Sequence, residues 1–105
     1  MLVSVESLIP LLKNPDSILL KASNPVPDVF MPWKQRSRVR RILNALRMIR
    51  RTNPALEFEY YRQRTEIYVH IPKPNHQLIF NLVWPQHLPN WQTINEQDLR
   101  DLAER

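Results

Sequence analysis

Apolar side chains recur at Val39, Ile42, Leu43, Leu46 and Ile49 within "KQRSRVRRILNALRMIRRT", residues 34–52. The spacing i, i+3, i+4, i+7, i+10 draws one stripe along an α-helix, and no strand register reproduces it. Asn53-Pro54 ends the pattern, because proline disfavours helical backbone in the residue before it. About 18 residues at 1.5 Å each make a rod of roughly 27 Å, long enough to organise a small domain. A chain of 105 residues is the usual size of one domain, and 1–105 is read as such.

What lies around the rod follows from a change of period. "LEFEYY" alternates Leu56, Phe58 and Tyr60 against Glu57, Glu59 and Tyr61, and "TEIYVHI" alternates Ile67, Val69 and Ile71 against Glu66, Tyr68 and His70. "HQLIFNLVW" places Leu78, Phe80, Leu82 and Trp84 in one phase. Period two with aromatic and β-branched content predicts three strands within 56–84, joined at "YRQRT" and "PKPNH" into an antiparallel meander with one face toward the long helix. Residues 1–23 read as short helical segments, although Ile18, Leu19 and Leu20 are too contiguous for periodicity to decide. The prolines at 25, 27 and 32 make 24–33 an extended connector, with Val29, Phe30 and Trp33 against the core. "PQHLPNWQT" reads as a loop, and 94–105 as a closing helix capped by Asn95 with Asp98 three residues on. The fold class expected is α+β: a long basic amphipathic helix on a three-stranded antiparallel meander, flanked by short N-terminal helices and a C-terminal one.

Composition removes several functions. Glycine is absent, where ordinary usage of about 7% would supply roughly seven, so P-loops and dinucleotide-binding turns have no means of construction. Cysteine is absent too, which excludes disulfides, thiolate metal sites and cysteine nucleophiles. No apolar run approaches the roughly 20 residues of a membrane span, and no signal peptide fits the first residues. The expectation is a soluble, intracellular, cytoplasmic protein without a cofactor and without membrane contact.

Charge is concentrated. Lys34, Arg36, Arg38, Arg40, Arg41, Arg47, Arg50 and Arg51 give residues 34–51 a local +8 with no acid, while the rest of the chain sums to −3. On a helical wheel Arg36, Arg40, Arg47 and Arg51 fall within roughly 60° of one another, with Arg50 beside them. No i, i+4 acid relieves them, so an anion from elsewhere must. Arginine's planar fork suits phosphate, which makes these eight cations the candidate nucleic-acid contacts, on RNA or DNA. Two alternatives stand beside this one. Glu57, Glu59, Glu66 and the acidic C-terminal helix fold back to neutralise the stripe internally, or the stripe docks on an acidic protein partner as an interaction or assembly factor. A homodimer through the apolar N-terminal segment or the meander's free edge is a further arrangement open to the chain.

Tyr61 and Tyr68, on the phase opposite the core residues, are expected to be exposed and, with Arg62 and Arg64, to supply secondary contacts. Tyr60 and Trp84 share the core phase and are expected to pack there. His70 and His76 flank the "IPKPN" turn with no third ligand at metal spacing, so no metal site is expected. With Arg62 or Arg64 as phosphate clamp they would make a metal-independent ribonuclease, a remote alternative to the non-enzymatic binding protein that the chain is read as.

The order helix, three strands, helix is similar to that of double-stranded-RNA-binding domains. That family's glycine-containing loop is missing and "NEQD" replaces its basic start to the last helix, so none of its RNA-contacting residues is carried over. "RRILNALRMIRRTNP" followed by strands and "LIFNLVWPQHLP" also resembles the helix, meander and proline order of ubiquitin-conjugating-type domains, here without a catalytic cysteine.

Overall fold

A computed structural model describes residues 5–23, 32–63 and 66–104, with residues 5 and 32–35 described as backbone alone. In chain order these form a 3₁₀ helix Val5–Lys13, β1 Ile18–Ala22, α1 Pro32–Thr52, β2 Glu59–Gln63, β3 Glu66–Ile71, α2 Pro74–Val83, β4 Trp91–Ile94 and α3 Glu96–Ala103. The chain is α+β, with an antiparallel sheet in the order β2-β3-β1-β4. The expected packing of Val29, Phe30 and the Trp33 side chain, and the expected contact from Arg64, lie outside what is described.

Helix α1 is the rod that the apolar stripe requires, begun two residues early at Pro32. Proline suits this first position, since its missing N–H would have no intrahelical acceptor and its φ is already helical. Val39, Ile42, Leu46 and Ile49 are buried as expected, each worth about 1.5–3 kcal/mol of removed apolar surface. At the far end the Asn53 N–H donates to Ile49 O at 2.9 Å and Thr52 Oγ1 donates to Met48 O at 2.9 Å, closing the last turn before Pro54.

The hairpin β2–β3 keeps the expected phase: Tyr60 pairs with Val69 and Arg62 with Ile67, and Phe58, Ile67, Val69 and Ile71 pack under α1. The third expected strand is instead helix α2. Alternation of Leu78, Phe80, Leu82 and Trp84 also contains an i, i+4 pair, and Phe80 with Trp84 is the pair that is buried. Leu78 is 68% exposed and Leu82 84% exposed, so half of the alternating set faces outward. Pro74 decides the matter: it stands at the start of α2, where proline is preorganised, and it removes a donor from any hairpin built there. With α2 in that place, the helix, three strands, helix order shared with double-stranded-RNA-binding domains is not kept.

Strands also stand where helix and loop are expected. Ile18–Ala22 is no helical segment but β1, paired with β3 on one side and β4 on the other. Its contiguous apolar run has a simple cause, because a strand covered on both faces has no polar side to alternate with. Leu20 and Ala22 join the α1 and α2 core, while Leu19 joins a second core with Leu8, Tyr68, Ile94 and Leu99. That second core lies beneath the 3₁₀ helix and α3, making three layers. The C-terminal helix carries the expected capping box: Asn95 Oδ1 accepts from the Asp98 N–H at 2.8 Å and the Asn95 N–H donates to Asp98 Oδ2 at 3.2 Å.

Candidate functional site

The second layer changes the standing of the tyrosines. Tyr68, expected on an exposed face, is fully buried, and burial, with Glu66 adding to it, pushes its phenol up to about 12. Tyr61 is half-buried against the same core; burial again raises its pKa to about 12, helped by the hydrogen bond its hydroxyl donates to Glu59 Oε2 at 2.9 Å. Neither is an open platform for a base, because the face opposite α1 is roofed by the 3₁₀ helix and α3.

The arginines of α1 divide into two groups. Arg50 donates from Nη2 to Phe58 O at 2.9 Å, and its guanidinium lies 5.2 Å from the centre of the Phe58 ring and 5.0 Å from that of Tyr60. Arg38, half-buried, donates from Nη2 to Ala22 O at 3.3 Å and to Ser23 O. These two, counted among the nucleic-acid contacts on sequence grounds, tie α1 to β2 and β1 instead. Arg36, Arg40, Arg41, Arg47 and Arg51 are exposed and make no hydrogen bond or ion pair among the described residues. Lys34 is helical backbone within α1.

Internal neutralisation, the first alternative, is not what the acids do. Glu57 pairs with Lys73 at 3.2 Å, Glu66 with Lys21 at 3.6 Å and Glu96 with Arg100 at 2.9 Å. Glu59 accepts from Tyr61, Asp101 accepts from Gln97 at 3.0 Å, and Asp98 caps its own helix. Moreover α3 packs on the 3₁₀ helix, across the sheet from α1. The acidic layer and the basic helix occupy opposite sides of the molecule.

Shape completes the site. One depression of about 350 Å³ runs along α1, with Val39 and Leu43 as its floor and Arg36, Arg40, Asn44, Arg47 and Arg62 around it. Arg62 reaches it because it shares the helix-facing phase of β2 with Tyr60. A second, of about 450 Å³, is lined by Arg38 and Arg41 together with Ser23 and residues 86–90, Gln86, His87, Leu88, Pro89 and Asn90. The loop forming its wall is held by the Trp84 indole N–H, which donates to Pro89 O at 3.0 Å, and by the Ser23 N–H, which donates to Asn90 O at 2.9 Å. Sequence spacing carries no sign of this second depression, since 86–90 approach α1 only through the fold.

The histidines do not converge on Arg62. His70 pairs with Glu59 and Leu19 on the sheet face opposite Arg62, and burial lowers its pKa, opposed by the Glu59 carboxylate and by the Leu11 backbone. His76 uses Nδ1 to accept the Glu57 N–H at 2.9 Å, and Glu57 stands about 16 Å of extended chain from Arg62. The constellation of a histidine base beside an Arg62 clamp is therefore not assembled.

What the arrangement offers is a ridge of fixed positive charge, desolvated little and aimed outward, between two concave basic surfaces. Comparison with protein-family models, with curated proteins and with solved structures gives no significant match, which leaves this geometry to carry the functional reading.

Proposed function

We propose that the protein is a nucleic-acid-binding protein whose helix α1 contacts the phosphate backbone through Arg36, Arg40, Arg47 and Arg51. The observation that carries this reading is the set of exposed guanidiniums without a partner among the described residues, on a chain whose Glu57, Glu59, Glu66, Glu96, Asp98 and Asp101 are engaged elsewhere. Four like charges along one side of a helix repel one another, and a polyanion laid along them relieves that repulsion while releasing its own counterions. Arg62 extends the same contact from β2. No helix among the described residues is long and apolar enough to cross a membrane.

The test is a salt series. With four phosphates neutralised on duplex DNA, log affinity falls against log salt with a slope of about −3.6, so binding weakens about 150-fold between 50 and 200 mM. Replacing Arg40 by Gln reduces the slope by about one. Absence of binding to every single- and double-stranded DNA and RNA at low salt overturns the proposal and favours an acidic protein as the partner of this face.

A further inference from the structure

Helix α1 stands as a ridge with an arginine-lined depression on either flank. Arg36, Arg40 and Arg47 line one and Arg41 lines the other, with Arg38 anchored at its base. Between them runs a crest of different character. On a wheel of about 100° per residue, Ser37, Asn44 and Met48 fall within about 40° of one another, opposite the buried stripe of Val39, Ile42, Leu46 and Ile49. All three are exposed, and none carries charge.

We infer that the ligand of α1 is B-form double-stranded DNA, with the helix seated in the major groove, its flanking arginines on the two backbones and Ser37, Asn44 and Met48 facing base edges. The inference rests on the phosphate-contact reading and goes beyond it, since phosphates position a protein without specifying sequence.

Three physical points select this ligand. The major groove of B-form DNA is about 12 Å wide and admits a helix of 10–12 Å diameter, with one backbone on each side of it. The crest from Ser37 to Met48 is about 16 Å long, the rise of roughly five base pairs, and Asn44 lies between them. An asparagine amide matches the N6 and N7 atoms of adenine bidentately, a serine hydroxyl donates or accepts, and an apolar side chain contacts the thymine methyl group. By contrast, the major groove of duplex RNA is too deep and narrow for side chains to read, which removes the crest's function there. Single strands are bound on exposed aromatic rings. Among the described side chains the aromatic ones are committed inward: Tyr68 is buried, Tyr61 packs on the second core, Tyr60 lies under Arg50, and Trp84 and Trp91 pack edge-on with centroids 4.9 Å apart.

The full chain is titrated, at one salt concentration, against a DNA duplex of about 25 base pairs, the RNA duplex of the same sequence and the corresponding DNA single strand, and is also used to select from randomised DNA duplexes. The DNA duplex is expected to bind at least about tenfold more tightly than either other probe, and the selected duplexes to share a short motif containing adenine. Asn44→Ala, at an exposed helical position where alanine is well tolerated, is expected to lose about 5- to 150-fold discrimination at one base position and to keep the wild-type salt slope. Arg40→Gln is expected to do the reverse. Equal or tighter binding to duplex RNA or to the single strand, or an unchanged motif for Asn44→Ala, overturns the inference while the phosphate reading stands. Failure to bind any of the three probes at low salt overturns both.

Discussion

Arg47 and Arg50 sit three residues apart on α1 and do different things. The Arg50 guanidinium is held against Phe58 O and over the Phe58 and Tyr60 rings, and Arg47 borders an open depression. Removing the Arg50 charge gives up a hydrogen bond from an ionised donor and a partly exposed cation–π contact, together about 1–2 kcal/mol. We predict that Arg50→Gln lowers stability by that amount and leaves the salt slope of binding unchanged. Arg47→Gln should alter stability by less than about 0.5 kcal/mol and reduce the slope by about one. Urea melts and salt titrations on both variants check this, and equal behaviour of the two would show the division of labour to be mistaken. A helical wheel places both residues near the same stripe, because a wheel records direction from one axis and contains no information about what the fold brings alongside. Arg38 escapes the wheel for the same reason, as its acceptors are carbonyls of Ala22 and Ser23, far away in sequence.

Among the elements, those written in local chemistry are legible in the residues themselves. The α1 stripe, the stop at Asn53-Pro54, the β2–β3 phase and the Asn95–Asp98 box each involve residues within a few positions of one another. Three elements, β1, α2 and the β4 strand that stands where a loop is expected, are not legible in this way. A central strand covered on both faces, such as β1, has lost the alternation by which a strand is recognised. In α2 the reverse occurs, since an accidental alternation at Leu78, Phe80, Leu82 and Trp84 conceals the helical pair. The helix makes a distinct prediction at those positions. Phe80 is fully buried, against Phe58, Trp84 and Trp91, and Phe80→Ala should cost about 3–5 kcal/mol. Leu82 faces outward on the same element, and Leu82→Ser should cost less than about 0.5 kcal/mol. A strand in this segment would make the two losses comparable, so chemical denaturation of the two variants discriminates directly.

On the scale of the whole molecule, the sheet separates the basic helix α1 from the layer formed by the 3₁₀ helix and α3. One side carries α1 with its exposed arginines. The other carries α3, in which Glu96 pairs with Arg100, and the 3₁₀ helix, whose Leu11 backbone reaches the half-buried His70. Burial holds the His70 imidazole below its ordinary value of 6.5, and neither Glu59 nor the Leu11 backbone fully offsets this. In the unfolded chain the ring takes up its proton near the ordinary value; in the folded chain it does so only at lower pH. Within that interval the unfolded state binds more protons, so stability rises with pH there. It is fully present above about 6.5 and declines on acidification through the folded pKa. Effects common to both chains cancel when a variant is compared with the parent. We therefore predict that His70→Gln, which cannot take up a proton, loses less stability than the parent between pH 7.5 and about 5. Urea midpoints for both chains at the two pH values give the comparison. A parent that loses no more than the variant would mean that His70 is as easily protonated folded as unfolded, and that the second layer does not shield it.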